Sequence, residues 1–217
     1  ALSVRDTGSL EWLSRWKRTA THAPDPVWAL AALPITELDD LPNPRIAVVL
    51  RSHPLMTPER LTIIGQALQE VHARTQAFIV LVPFQLSQDL MVAQTLHTQL
   101  LDISHVVRLT NPRQLKGVFQ NVDMAIAMRL HGLIMAAAEG CRCFGISYDP
   151  KVQRLMEDIH CPGWELAQMP DHASTISQQW IQQLNSPATL SLGQRQHLIQ
   201  QSMEHERLLA ALLRPSA

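Results

Sequence analysis

Three times in this chain a threonine, asparagine or aspartate stands directly before a proline and shortly after an apolar run: Thr57-Pro58, Asn111-Pro112 and Asp149-Pro150. Each pair reads as a helix N-cap followed by proline at the first helical position, where its missing N–H costs nothing. The helices so opened are predicted to run to about Arg74, Asn121 and Ile159, and the apolar runs ahead of them, residues 46–50, 105–109 and 143–146, suit short buried strands. Two further runs, 77–82 and 124–128, precede helices predicted from a Ser87 cap to about Leu100 and from Leu130 to Glu139, the second closed by Gly140. Strands alternating with helices over residues 45–156 fold as right-handed βαβ units around a mainly parallel sheet. The expected fold class is therefore α/β, with a Rossmann-like sheet of five strands and flanking helices.

Outside that alternation the pattern changes. Residues 2–4 read as a strand and 9–18 as a short amphipathic helix, after which Pro24, Pro26, Pro34, Pro42 and Pro44 interrupt both helix and sheet and mark an interdomain linker. Beyond Gly163, residues 174–184 read as a helix, and 191–213 as one terminal helix with a buried stripe of Leu198, Ile199, Met203, Leu208 and Leu212. These shifts divide the chain into residues 1–44, the end of an N-terminal domain with its linker; 45–186, a Rossmann-like domain; and 187–217, a C-terminal helix. The opening Ala1-Leu2-Ser3-Val4-Arg5-Asp6 has no initiating methionine and no leader pattern, and it reads as the interior of a larger protein.

Composition removes several functions. With 217 residues, 46% of them hydrophobic, the chain can bury a core of its own. A net charge of −1 and the lack of a basic run argue against the electrostatic footprint of a nucleic-acid or membrane-surface binder. No stretch approaches the roughly 18 uninterrupted apolar residues of a membrane span. Cys141, Cys143 and Cys161 lack CxxC spacing and suit neither a disulfide framework nor a zinc site, so a reduced, cytoplasmic setting is expected. There is no GxGxxG and no P-loop. Neither a metal nor a cofactor is expected.

Chemistry concentrates in residues 123–140, where an apolar strand runs through Arg129-Leu130-His131-Gly132 into an apolar helix. The carboxyl end of a strand at a helix start is where open α/β sheets bind anions. A guanidinium pairs with carboxylate or phosphate through a charge-assisted fork, and an imidazole titrating near neutral pH can move a proton. Arg51 closes the first strand of the alternation and is expected on the same edge, with His53 behind it. Tyr148 and Lys151 flank the helix start at Asp149, so Lys151 can hold phosphate, while Asp149 needs no role beyond its cap. His72, His97, His197 and His205 fall in predicted helices and read as surface residues, and the methionines of 124–135 read as core packing.

Together, Ser3-Val4-Arg5-Asp6 with Ser9, Asp25-Pro26, Arg51, Met128-Arg129-Leu130-His131-Gly132 and Ile146-Ser147-Tyr148-Asp149-Pro150-Lys151-Val152 resemble the polysaccharide pyruvyl transferase family, its CsaB-type enzymes in particular. The resemblance covers most of the chain to about residue 160. It implies a fold similar to the B-type glycosyltransferases, two Rossmann-like domains of which this chain would be the C-terminal half. It also implies transfer of a pyruvyl group from phosphoenolpyruvate to two hydroxyls of a sugar as a cyclic ketal, with release of phosphate, in the cytoplasm of a bacterium. The acceptor would be a cell-surface polysaccharide or lipid-linked sugar, with an N-acetylmannosamine unit as the family suggests. The family's Arg-Leu-His motif maps onto Arg129, Leu130 and His131 as donor contacts, with His131 the candidate general acid and base. Arg5, Arg51, Lys151 and Tyr148 are the further candidate substrate-binding residues, although Arg5 reads equally as one half of a structural ion pair.

Two other readings stay open. One is a nucleotide-sugar glycosyltransferase of the same fold, for whose ribose Glu139 and Glu157 are the nearby carboxylates, neither at a strand end. The other is a non-catalytic module that binds an anion or a partner chain. Were the first domain absent, the face it covers would leave an apolar patch around linker and terminal helix, through which a homodimer is expected.

Overall fold

The apolar runs form strands and the capped segments form helices in the computed structural model, which describes residues 2–213. In chain order the strands are β1 (Ser3–Val4), β2 (Thr21–His22), β3 (Arg45–Val49), β4 (Phe78–Leu81), β5 (Ser104–Val106), β6 (Met124–Ala127), β7 (Arg142–Ser147) and β8 (Gly163–Glu165). The helices are α1 (Thr7–Arg15), α2 (Pro58–Thr75), α3 (Leu86–Gln99), α4 (Pro112–Val118), α5 (Leu130–Glu139), α6 (Pro150–Asp158), α7 (Ala173–Leu184), α8 (Leu192–Ser202) and α9 (Glu204–Leu213). Two units divide the chain: Ala1–Ala31 with Ser191–Ala217, and Ala32–Leu190.

The larger unit holds a six-stranded sheet in the order β5-β4-β3-β6-β7-β8, parallel throughout. The predicted caps are made: Thr57 Oγ1 accepts the Arg60 N–H at 3.3 Å, Asn111 Oδ1 that of Arg113 at 2.9 Å, and Asp149 Oδ1 those of Lys151 and Val152 at 2.9 and 3.0 Å. The sixth strand, β8, was not anticipated. It is three residues long and begins with glycine, and a Cβ on Gly163 would lie 2.0 Å from the Gly145 carbonyl oxygen. A second correction concerns α3, which starts at Leu86 behind Gln85 and not at a Ser87 cap.

Period-two alternation sorts each strand between two faces. Ile46, Val48, Leu50, Ile79, Leu81, Met124, Ile126, Met128, Phe144 and Ile146 build one core with Leu61, Ile64 and Leu68 of α2 and Ile176 and Trp180 of α7. The intervening Ala47, Val49, Ala125 and Ala127 are fully buried on the other face. Their small side chains let α5 lie close to the sheet: a Cβ on Gly132 would stand 3.2 Å from Val49 Cγ1 and 3.4 Å from the Ala127 Cβ.

The proline-rich segment after Ala31 is packed. Ile35 and Leu38 are buried, the Leu33 N–H donates to the Arg113 carbonyl at 2.9 Å, and a Cβ on Gly117 of α4 would lie 1.9 Å from the Leu33 carbonyl oxygen. Alanine gains about 1 kcal/mol in helix propensity over glycine, but forcing a methyl against backbone costs typically about 1–3 kcal/mol. Gly117→Ala is therefore expected to lower the urea midpoint without changing the slope; a variant as stable as the parent would contradict this contact.

In the smaller unit β1 pairs with β2 in parallel, and Asp6 caps α1 by accepting the Ser9 N–H at 2.8 Å. The predicted single terminal helix is two helices, α8 and α9, parted at Met203, and Met203 and Leu212 are 40% and 59% exposed, so no continuous apolar stripe forms. A polar anchor replaces it. His205 of α9 is half-buried, its Nδ1 2.9 Å from Ser3 Oγ and its Nε2 3.2 and 3.0 Å from the Ala23 and Pro24 carbonyls. His72 and His97 are likewise half-buried and hydrogen-bonded, whereas His197 is exposed as expected. All three cysteines are buried and outside any disulfide, and burial pushes the Cys143 thiol up to about 12, which leaves it protonated and unreactive at neutral pH. Among the described residues no helix is long and apolar enough to cross a membrane.

Candidate functional site

From β3 the chain winds outward through β4 to β5, then returns to lay β6 on the other side of β3. The loops leaving β3 and β6 therefore diverge, and an open parallel sheet binds ligands in the crevice this creates at its carboxyl edge. Val49 and Ala127 are register partners at the ends of these two strands. Two residues beyond each stands an arginine, Arg51 on one strand and Arg129 on the other.

Arg129 is held from below. Its Nε donates to Asp89 Oδ2 at 2.8 Å and its Nη2 to Asp89 Oδ1 at 2.5 Å, a side-on fork on a carboxylate that is fully buried, while the Arg129 side chain keeps 17% exposure. Asp89 Oδ2 also accepts the backbone N–H groups of Phe84 and Gln85, at 3.1 and 2.9 Å. The same carboxylate thus fixes both the backbone that leads into α3 and the guanidinium.

Arg51 is half-buried and has neutral partners. Its Nη1 donates to Tyr148 Oη at 2.9 Å, its Nε to the Ser52 carbonyl at 3.3 Å, and its guanidinium carbon lies 5.0 Å from the Tyr148 ring centroid. His53 packs against the same ring at 5.3 Å, its Nδ1 accepting the Leu55 N–H at 3.2 Å. The two arginines share one acceptor: Gln88 Oε1 takes Arg129 Nη2 at 3.2 Å and Arg51 Nη2 at 3.4 Å.

The remaining predicted residues divide by location. Leu130 is half-buried and His131 exposed on the first turn of α5, whose amino-terminal dipole adds positive potential there. Lys151 is exposed on the first turn of α6, which follows β7 and Tyr148. Arg129, Leu130, His131, Arg51, Tyr148 and Lys151 thus belong to one edge of one unit. Arg5 belongs to the other unit, where it pairs with the buried carboxylate of Asp25.

Gln88 and Asp89 were missed by sequence reasoning. Asp89 shares the inward stripe of α3 with Val92, Ala93 and Leu96, and a charged residue on such a stripe signals a buried partner. The two carboxylates considered for a ribose are occupied elsewhere. Glu139, in the last turn of α5, lies 3.5 Å from the buried Lys116 and accepts from Gln120 at 3.0 Å, while Glu157 is exposed on α6 and accepts from Gln153 at 3.0 Å. Burial lowers the pKa of the Lys116 ammonium, and Glu139 opposes that shift.

Comparison with known proteins gives the family and the fold. A model of the polysaccharide pyruvyl transferase family matches residues 1–150. No match was found among curated proteins. Among solved structures, a Listeria monocytogenes protein assigned as a UDP-N-acetylglucosamine 2-epimerase superposes with a TM-score of 0.67 at 12% identity, over 95% of this chain and 57% of that one. A glycosyltransferase from Rickettsia africae gives 0.56 at 13% identity, over 91% and 58%. Os79 from O. sativa, solved with UDP and deoxynivalenol-3-glucoside, gives 0.58 at 10%, over 98% and 54%. The α/β fold with its Rossmann-like parallel sheet is that of the B-type glycosyltransferases, and the chain spans little more than half the length of these structures.

Proposed function

The chain belongs to the polysaccharide pyruvyl transferase family, and from that premise we propose that it binds phosphoenolpyruvate in the crevice between β3 and β6 and supplies the donor side of pyruvyl transfer. The acceptor is a polysaccharide or lipid-linked sugar, and the product a cyclic ketal with release of phosphate. The observation that carries this reading is the pair Arg51 and Arg129 at matching positions beyond adjacent strands, sharing one acceptor oxygen. A donor with both a carboxylate and a phosphate is suited to two guanidinium groups beside a helix amino end.

The chemistry needs a proton moved twice. Protonation of the donor's CH2 carbon makes its C2 an oxocarbenium centre, to which one sugar hydroxyl adds. Phosphate then leaves with the electron pair of its C2–O bond as the second hydroxyl adds and closes the ketal. Of the two protons the hydroxyls release, one replaces that given to the CH2 carbon and the other departs with phosphate. His131, exposed beside Arg129, is the group we assign to this transfer, with Leu130 shaping the donor's apolar side and Lys151 and Tyr148 serving the phosphate end. In this reading residues 45–186 carry the donor site of a cytoplasmic bacterial enzyme.

His131→Gln is expected to leave phosphoenolpyruvate affinity within about threefold while lowering phosphate release with an N-acetylmannosamine-containing acceptor by about 10²- to 10⁴-fold. Turnover unchanged in the variant would remove His131 from the chemistry. The rival reading, a nucleotide-sugar transferase, draws on a relative of this fold solved with UDP. It is weakened here because Asp89, the carboxylate at the crevice, is consumed by Arg129 and two backbone amides.

A further inference from the structure

We propose that the Gln88 amide oxygen marks the position of a substrate oxygen, and that the donor's anionic group displaces Gln88 from between Arg51 and Arg129. This rests on the reading of the crevice as a phosphoenolpyruvate site and specifies how that site is gated. The hydrogen bonds around it argue for displacement. Arg129 commits Nε and one Nη2 hydrogen to Asp89, and Arg51 commits Nη1 to Tyr148 and Nε to Ser52. Their shared remaining acceptor is a neutral amide, at 3.2 and 3.4 Å, longer than the roughly 2.7–2.9 Å of a guanidinium facing an anion. Two like charges held on a neutral oxygen are better served by an anionic one, and a guanidinium whose side edge is taken by Asp89 offers its end, Nη1 with the second Nη2 hydrogen, once Gln88 turns away.

Gln88 is also built to move while its neighbours stay. It is exposed on the first turn of α3, whereas Asp89 beside it is fully buried and bonded to both the guanidinium and the backbone. Rotation of the Gln88 side chain therefore opens the subsite without disturbing the helix or the Arg129 fork. The gate is a specificity device as well: a neutral ligand gains nothing over the amide it would replace.

The test is calorimetric titration of the chain and of Gln88→Ala and Gln88→Glu with phosphoenolpyruvate and, separately, with inorganic phosphate. Removing the competitor in Gln88→Ala is expected to leave phosphoenolpyruvate binding equal or up to about tenfold tighter. Gln88→Glu supplies a tethered carboxylate to both arginines and is expected to weaken the ligand by roughly tenfold or more while raising the melting temperature. Weaker binding in Gln88→Ala, or unchanged binding in Gln88→Glu, overturns the inference and leaves the phosphoenolpyruvate reading standing. Phosphate binding that follows the expected Gln88 order, with no phosphoenolpyruvate binding, overturns that reading and keeps the subsite. Silence toward both anions overturns both.

Discussion

Asp89→Ala is expected to lose about 3–5 kcal/mol of stability, the cost of breaking a buried ion pair by removing one partner. Four donors converge on this carboxylate: Arg129 through Nε and Nη2, and the N–H groups of Phe84 and Gln85. Truncation leaves the guanidinium without its counter-charge and the amides of Phe84 and Gln85, just ahead of α3, without their acceptor; a lost partner costs about 1–3 kcal/mol where water cannot reach and less at the exposed Gln85. Arg129 keeps 17% side-chain exposure, so partial hydration places the loss toward the lower end of that range. Urea denaturation measures it. A loss under about 1 kcal/mol would mean that the pair is a surface contact, which typically contributes no more than that.

Arg129→Lys is expected to separate folding from recognition. An ammonium can still neutralise Asp89, so the stability loss should be smaller than for Asp89→Ala, but it cannot grip the carboxylate through two nitrogens and present a third to a ligand. Truncating one partner of a hydrogen-bonded charge pair at an interface costs about 2–5 kcal/mol, so phosphoenolpyruvate affinity is expected to fall by roughly 10²-fold. An equal affinity in the lysine variant would show that Arg129 braces the loop and that Arg51 alone meets the anion.

What the chain disclosed before folding follows from how local each signal is. Thr57, Asn111 and Asp149 cap helices through their own neighbours, so these helix starts could be read, together with the apolar runs of β3, β4 and β6. The start of α3 could not, because Gln85 at its N-cap makes no side-chain cap and the residues ahead of it are held by Asp89 from inside the helix, and β8 could not, because a three-residue strand opening on Gly163 carries no apolar run. At the site, Arg129 and Arg51 were found because each stands just beyond the carboxyl end of its strand. Gln88 and Asp89 acquire meaning only when α3 is laid beside the ends of β3 and β6, some 40 residues from each arginine. Likewise the partner of Arg5 proved to be Asp25, a pairing 20 residues apart that depends on β1 and β2 lying side by side.

The measurement that bears most directly on the account is calorimetric titration of this chain with phosphoenolpyruvate and with UDP, repeated on Arg129→Lys. The account predicts saturable phosphoenolpyruvate binding that weakens roughly 10²-fold in the variant, with UDP bound weakly or not at all. Tight UDP binding that survives Arg129→Lys, with no heat from phosphoenolpyruvate, would contradict it and assign the crevice to a nucleotide sugar.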